Sequence, residues 1–177
     1  MEIKEWEEIS RETVFKSKYG KEIEKVIFKM PNEQEVDFYI KKEGQAVAIV
    51  AVTEDQKIIL AKQFRPGPKE ILNELPGGGM DEGETPEEAA LRELKEETGY
   101  TGQAELVTEV LDCAYSTRRR YCVVVRDCKK TEEQTLDDQE FAEVTIMPLK
   151  EFRELLRSGK MTDVEVGYLG LDYLKLL

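Results

Sequence analysis

From Ala46 to Val52 the chain carries seven apolar residues without a polar interruption, Ala-Val-Ala-Ile-Val-Ala-Val, behind Gln45. A run of that kind predicts a central strand, Gln45 to Val52, buried on both faces. Thr53 to Gln56 turns the chain, and Lys57 to Phe64 returns as a partner strand that delivers Gln63, Phe64 and Arg65 to the break at Pro66-Gly67-Pro68. Glu70 to Pro76 reads as a strand leading into a loop, Gly77 to Gly83, whose glycines let backbone approach a ligand closely. Upstream, shorter alternating stretches predict a small antiparallel sheet from Thr13–Lys16, Glu22–Lys29 and Glu35–Ile40, with Pro31-Asn32 turning the last two into a hairpin. Downstream, Glu105–Asp112, Tyr121–Val125 and Phe141–Met147 read as strands. Pro148–Arg157 is amphipathic, with Phe152, Leu155 and Leu156 on one face, and Ser158-Gly159 stops it. Asp163–Leu177 predicts a final helix, weakened by Gly167 and Gly170.

The strongest local signal lies between these halves. Thr85 stands three residues before Glu88 as a capping box, and Pro86 occupies the first helical position, where its missing N–H costs nothing. Gly99 supplies the left-handed stop, so a helix is predicted from Pro86 to Thr98. At about 100° per residue, Ala90, Leu91, Leu94 and Thr98 share the core-facing stripe, while Glu88, Arg92, Lys95 and Glu96 point away. Glu93 and Glu97 fall on the border, beside the short side chains of Ala89 and Ala90. Glu84 arrives from the preceding loop, so up to four carboxylates converge near glycine-rich backbone, and hard cations bind such oxygens. An acidic helix is also an ordinary solvated face at a cost of only tenths of a kcal/mol, roughly, per like-charge pair. Acids alone do not separate the two readings.

Composition narrows the chemistry. The 177 residues are 36% charged and 40% hydrophobic, with no internal repeat or low-complexity linker, which fits a globular chain with a real core. No apolar run approaches a membrane span, and Met-Glu-Ile-Lys-Glu-Trp-Glu-Glu lacks a signal-peptide core, so no membrane partner and a cytoplasmic location are expected. Cys113, Cys122 and Cys128 are read as reduced thiols. Histidine is absent, which removes a Ser-His-Asp triad and the usual zinc ligand sets and leaves acid-base work to carboxylates. A net charge of −12 excludes a broad nucleic-acid interface, and an anionic substrate then needs a divalent cation or a focused arginine patch. Arg65, at the end of a strand, and Arg118-Arg119-Arg120, between strands, are the candidates for bidentate contact with phosphate; for the triplet a solvated turn is an equal reading. Trp6, Phe15, Phe38 and Tyr39 offer either ordinary packing or a stacking surface for a base. Carboxylates, glycine loop and arginines together make a constellation for metal-assisted attack of water on a phosphoryl centre.

The spacing is more specific than the residue types. Gly78, five residues, Glu84, seven residues, then Arg92-Glu93-Leu94-Lys95-Glu96-Glu97-Thr98-Gly99-Tyr100 resembles the Nudix hydrolase box at every fixed position except the last, where Tyr100 replaces an aliphatic residue. The resemblance implies an α/β/α sandwich around a mixed β-sheet and hydrolysis of nucleoside diphosphate derivatives with Mg²⁺, for which Mn²⁺ can substitute. Carried over by position, it makes Glu93, Glu96, Glu97 and the Gly77 carbonyl metal ligands, with Arg92 orienting the glutamates and Glu84 as the upstream acid. Across nearly the whole chain, Gln63-Phe64-Arg65, Glu74-Leu75-Pro76-Gly77-Gly78 and Asp137 to Val144 are similar to the ADP-ribose pyrophosphatase branch. That similarity implies that Glu140 is a metal ligand or the general base and that Arg65 and Glu74 help bind substrate. It also implies a homodimer built through an N-terminal β extension, residues 1–42, ahead of a hydrolase domain at 43–177. One departure bears on substrate: Ser116-Thr117-Arg118 stands where the branch has Ser-Pro-Gly, so Arg118 and Arg119 can favour another nucleoside diphosphate sugar, such as GDP-mannose, over ADP-ribose. A catalytically silent nucleotide-binding module would show damaged ligand positions, and the box has none.

Overall fold

The structure is a computed structural model that describes residues 3–136 and 141–177. Its elements in chain order are β1 (Glu7–Lys16), β2 (Glu22–Lys29), β3 (Glu35–Lys42), β4 (Ala46–Thr53), β5 (Lys57–Arg65), β6 (Glu70–Glu74), α1 (Pro86–Thr98), β7 (Tyr100–Leu111), β8 (Arg119–Lys130), β9 (Ala142–Pro148), α2 (Leu149–Ser158) and α3 (Val164–Tyr173). They form two compact units: Met1–Gly44 with Leu111–Arg119, and Gln45–Val110 with Arg120–Leu177.

In the first unit β1, β2 and β3 make an antiparallel sheet in that order. β1 begins at Glu7 rather than Thr13, because all ten of its residues are exposed and no buried face imposes an alternation to read. Glu24 on β2 is buried and accepts from Arg11 at 2.5 Å, with Lys42 at 3.3 Å. The rings of Trp6, Phe28 and Phe38 pack with centroids 5.7 to 6.3 Å apart, and Tyr115 stacks on Phe38 at 6.4 Å. Phe15 and Tyr39 stay exposed.

In the second unit the sheet runs β6-β5-β4-β8-β7, with β9 also paired to β5. It is mixed: β4 is antiparallel to β5 and parallel to β8. β4 is buried from Ala46 to Val52, and strand alternation sends its residues to two cores. Val47, Ile49 and Ala51 pack with Ala89, Ala90 and Leu94 of α1, together with Ile59, Val123 and Val125. Ala48, Val50 and Val52 pack with Phe152 and Leu156 of α2 and Val166 and Leu171 of α3. One helix thus covers one face of the mixed sheet and two cover the other, the α/β/α sandwich expected. Among the described residues no helix is long and apolar enough to cross a membrane.

Gly170 explains why α3 carries glycines that its propensity opposes. A Cβ there would strike Val50, lying 2.8 Å from the Val50 Cβ and closer still to one of its methyls. Val50 is β-branched, stiff and fully buried on the central strand, so it cannot yield. Helix propensity alone makes Ala better than Gly by about 0.5–1 kcal/mol. Gly170→Ala is nevertheless expected to destabilise the fold by about 1–3 kcal/mol, the scale of core overpacking, in a urea melt. A neutral or stabilising result would refute the close packing.

Candidate active site

Helix α1 is placed by its own caps. Thr85 Oγ1 accepts from the Glu88 N–H, the Glu88 carboxylate accepts from the Thr85 N–H, Pro86 opens the helix, and Gly99 closes it at φ 75°. Burial of Ala89, Ala90, Leu94 and Thr98 fixes the rotation of α1, and that turns Glu93 and Glu97 toward the loop after β6. The loop is pinned along the start of β4. Ile49 N–H donates to the Pro76 carbonyl at 2.9 Å, Val47 N–H to Gly78 at 2.9 Å, and Met80 N–H to Gln45 at 3.1 Å.

Two carboxylates of the helix meet consecutive glycines of that loop. Gly77 N–H donates to Glu97 Oε2 at 3.1 Å. The Glu93 carboxylate lies against Gly78 so closely that a Cβ there would come within 2.5 Å of its carbon and both oxygens. Arg92 ties the rest together: Nε and Nη2 donate to the two oxygens of Glu84 at 2.8 and 2.9 Å, Nη1 to Glu93 at 2.8 Å and Glu96 at 3.3 Å, and Nη2 also to the Gly79 carbonyl at 2.9 Å. The fork of one guanidinium thereby orients three acids and the loop. Arg92 hydrogen bonding, with the Asp81 N–H, holds the Glu84 carboxyl down at about 2, and the Arg92 guanidinium is raised correspondingly. The clamp therefore contributes stability above the usual carboxylate range and loses it only as pH falls toward 2.

The other predicted residues fall in three places. Glu74, at the end of β6, is 1% exposed. Its Oε2 accepts from Arg65 Nε at 2.6 Å and its Oε1 from the Thr162 hydroxyl at 2.7 Å, which ties Arg65, whose side chain is 45% exposed, to a buried carboxylate. The three arginines do not form one turn. Arg118 belongs to the first unit, where it pairs with Glu43 at 3.3 Å and donates to the Gly44 carbonyl; Arg119 opens β8; Arg120, in the second unit, pairs with Asp163 and, at 3.5 Å, with Glu165. Two of the triplet are strand residues, because β8 starts at Arg119 rather than Tyr121. Glu140, with Asp137, Asp138 and Gln139, lies outside the described residues. Thr162 was not singled out by sequence reading. It stands 88 residues from Glu74, in a connection without periodicity, and no local signal marks it. Cys122 and Cys128 are free buried thiols pushed up to about 12 by burial, which makes them inert packing groups.

An α/β/α sandwich that presents an acidic helix to a glycine loop matches a known class of hydrolase. The NUDIX domain family matches residues 42–165. Over 175 residues the chain is 33% identical to ADP-ribose pyrophosphatase of Bacillus subtilis (strain 168), covering 95% of this chain and 91% of that one. It is 34% identical over 149 residues to ADP-ribose pyrophosphatase of Saccharomyces cerevisiae, covering 73% and 64%. A crystal structure of an ADP compounds hydrolase shares the fold with a TM-score of 0.84 at 24% identity, covering 99% of this chain and 97% of that one. The chain belongs to the Nudix family and is a Nudix pyrophosphohydrolase.

Proposed function

We propose that this chain hydrolyses the diphosphate linkage of a nucleoside diphosphate derivative, ADP-ribose before others, to AMP and ribose 5-phosphate. The observation that carries the reading is the meeting of Glu93 and Glu97 with Gly78 and Gly77 under the Arg92 clamp. The names of the B. subtilis and S. cerevisiae relatives support the substrate.

Among the described residues no three acidic side chains stand around a common point as a ready-made metal cage. The donor set nevertheless fits a hard divalent ion in chemistry: carboxylates of Glu93, Glu96 and Glu97, all oxygen, beside a loop whose Gly77 carbonyl is a further oxygen donor. Those groups would hold Mg²⁺, with Glu140 as a further ligand or as the base. Bound there, the ion supplies charge neutralisation on the diphosphate and a more acidic water. The rest belongs to the chain itself. Arg92 keeps Glu93 and Glu96 oriented, and the Gly77 N–H keeps Glu97 on the loop. Arg65, anchored on Glu74, contacts the substrate's phosphates and stabilises charge that develops on nonbridging oxygens. Residues 1–42 serve as a dimer contact and substrate cover, since β1 is a ten-residue exposed edge bearing Ile9, Val14 and Phe15, suited to pairing with a second copy. Three unpaired cysteines fit a reducing cytoplasm.

The test is incubation with Mg²⁺ and a panel of ADP-ribose, GDP-mannose, NADH, FAD and nucleoside triphosphates. AMP with ribose phosphate from ADP-ribose, abolished by EDTA and restored by Mg²⁺, is the expected result. Preferential GMP release from GDP-mannose would move the assignment to another nucleoside diphosphate sugar, and pyrophosphate from triphosphates would overturn it.

A further inference from the structure

Glu74 is a carboxylate nine-tenths and more buried, and a buried charge is tolerated only when its oxygens are satisfied. Both have a partner. Arg65 Nε takes Oε2 at 2.6 Å, and the hydroxyl of Thr162 takes Oε1 at 2.7 Å. Arg65 and Glu74 stand at opposite ends of the β5–β6 ladder, Arg65 opposite Glu70 and Glu74 opposite Ala61, so their contact is made by side chains reaching along the paired strands. Thr162 arrives from elsewhere, on the connection between α2 and α3. That connection is fixed on either side of it. Met161 is buried in the core beneath α2 and α3, and Asp163, left-handed at φ 56°, is held by Arg120 of β8. The hydroxyl of Thr162 is thus presented to Glu74 by two anchors, not by its own rotamer alone.

We infer that Thr162 is a positioning residue for substrate binding: through Glu74 it fixes the direction in which Arg65 presents its guanidinium to the substrate's diphosphate. The inference rests on the reading that Arg65 contacts those phosphates. Without the hydroxyl, Oε1 of Glu74 is a buried acceptor with its donor gone, and the carboxylate is free to rotate. A rotation about the Glu74 side chain moves Oε2, and the short bond to Arg65 Nε moves with it. Arg65 then meets the diphosphate from a dispersed set of directions, and part of the binding goes into ordering it. No group that touches the reacting atoms changes.

The experiment is steady-state kinetics on the substrate that the panel selects, with Thr162→Val, Thr162→Ser, Arg65→Ala and the double variant Thr162→Val/Arg65→Ala. Thr162→Val keeps the shape and removes the donor. It is expected to raise KM about tenfold, the scale of one unsatisfied buried acceptor. Turnover should stay within about twofold, the signature of binding lost equally from ground and transition states. Thr162→Ser restores KM, and the double variant shows no more than the Arg65→Ala effect on KM, because the hydroxyl's effect on substrate binding runs through Arg65. A large KM effect of Arg65→Ala with none of Thr162→Val overturns the positioning role and leaves Arg65 in place. No effect of Arg65→Ala overturns both. Should Thr162→Val fail to fold, Thr162→Ala removes the same donor without the added bulk, and an unchanged KM there overturns the inference.

Discussion

Replacing Glu97 with glutamine is expected to lower kcat by at least about a hundredfold, the scale of losing one dominant electrostatic group at the reacting centre. The chain should stay folded. Glutamine keeps the length of the side chain, its amide oxygen can still accept the Gly77 N–H that now reaches Glu97 Oε2 at 3.1 Å, and its helix propensity is close to that of glutamate. The caps of α1 and the buried Ala89, Ala90 and Leu94 do not involve the carboxylate. What disappears is a negative charge on the edge of the helix that faces the glycine loop, and a neutral amide is a poorer donor to a hard cation. The measurement is kcat at saturating Mg²⁺ beside a thermal melt. A midpoint within about 3 °C of the parent, the shift that ~1 kcal/mol produces at this size, separates lost chemistry from lost fold. Parental turnover in a folded Glu97→Gln protein would remove Glu97 from the metal-binding set.

The sequence carried the parts of this site that are local. Capping box, proline and terminal glycine give the limits of α1 as Pro86–Thr98 because each acts within one turn of its own backbone. The apolar run ending at Val52 reads as a doubly buried strand because helices cover both faces of β4. Positions set by pairing across the chain were not legible. β1 has no buried face, so nothing in its side chains announces that it starts at Glu7. Arg118, Arg119 and Arg120 read as one basic turn, yet strand pairing divides them: Arg120 aligns with Ala46 in the parallel β4–β8 ladder and closes on Asp163, while Arg118 turns to Glu43. Gly170 reads as a weakness in a helix because its reason, the Val50 side chain, lies 120 positions earlier in the chain. Resemblance implies that Glu74 and Arg65 help bind substrate, but it carries no sign that Glu74 is buried and hydrogen-bonded to Arg65.

The loop glycines divide by the same logic, and that division supports the second large effect. Gly77 and Gly78 stand side by side, but a methyl group added to each would meet different things. At Gly77 it would strike the backbone carbonyl of Val47 on β4, and φ is already 156°. Backbone on a central strand cannot move aside, so Gly77→Ala is a structural lesion. At Gly78 the three nearest atoms all belong to the Glu93 carboxylate, 2.5 Å from the new Cβ. The far end of a glutamate can swing away, and the fold tolerates it. Activity is expected not to, because Arg92 holds that carboxylate at 2.8 Å and the swing breaks the alignment of Glu93 with Glu97 along the loop. Gly78→Ala is therefore expected to leave the melting midpoint within about 3 °C of the parent. It should reduce kcat/KM about a hundredfold, the penalty of an ångström-scale misplacement in an aligned site. Mg²⁺ titration of activity should show a weaker apparent affinity in the same variant. A Gly78→Ala enzyme that is folded and fully active would mean that Glu93 works from a position other than the one it occupies against Gly78, and the pairing of acids with glycines would lose its meaning.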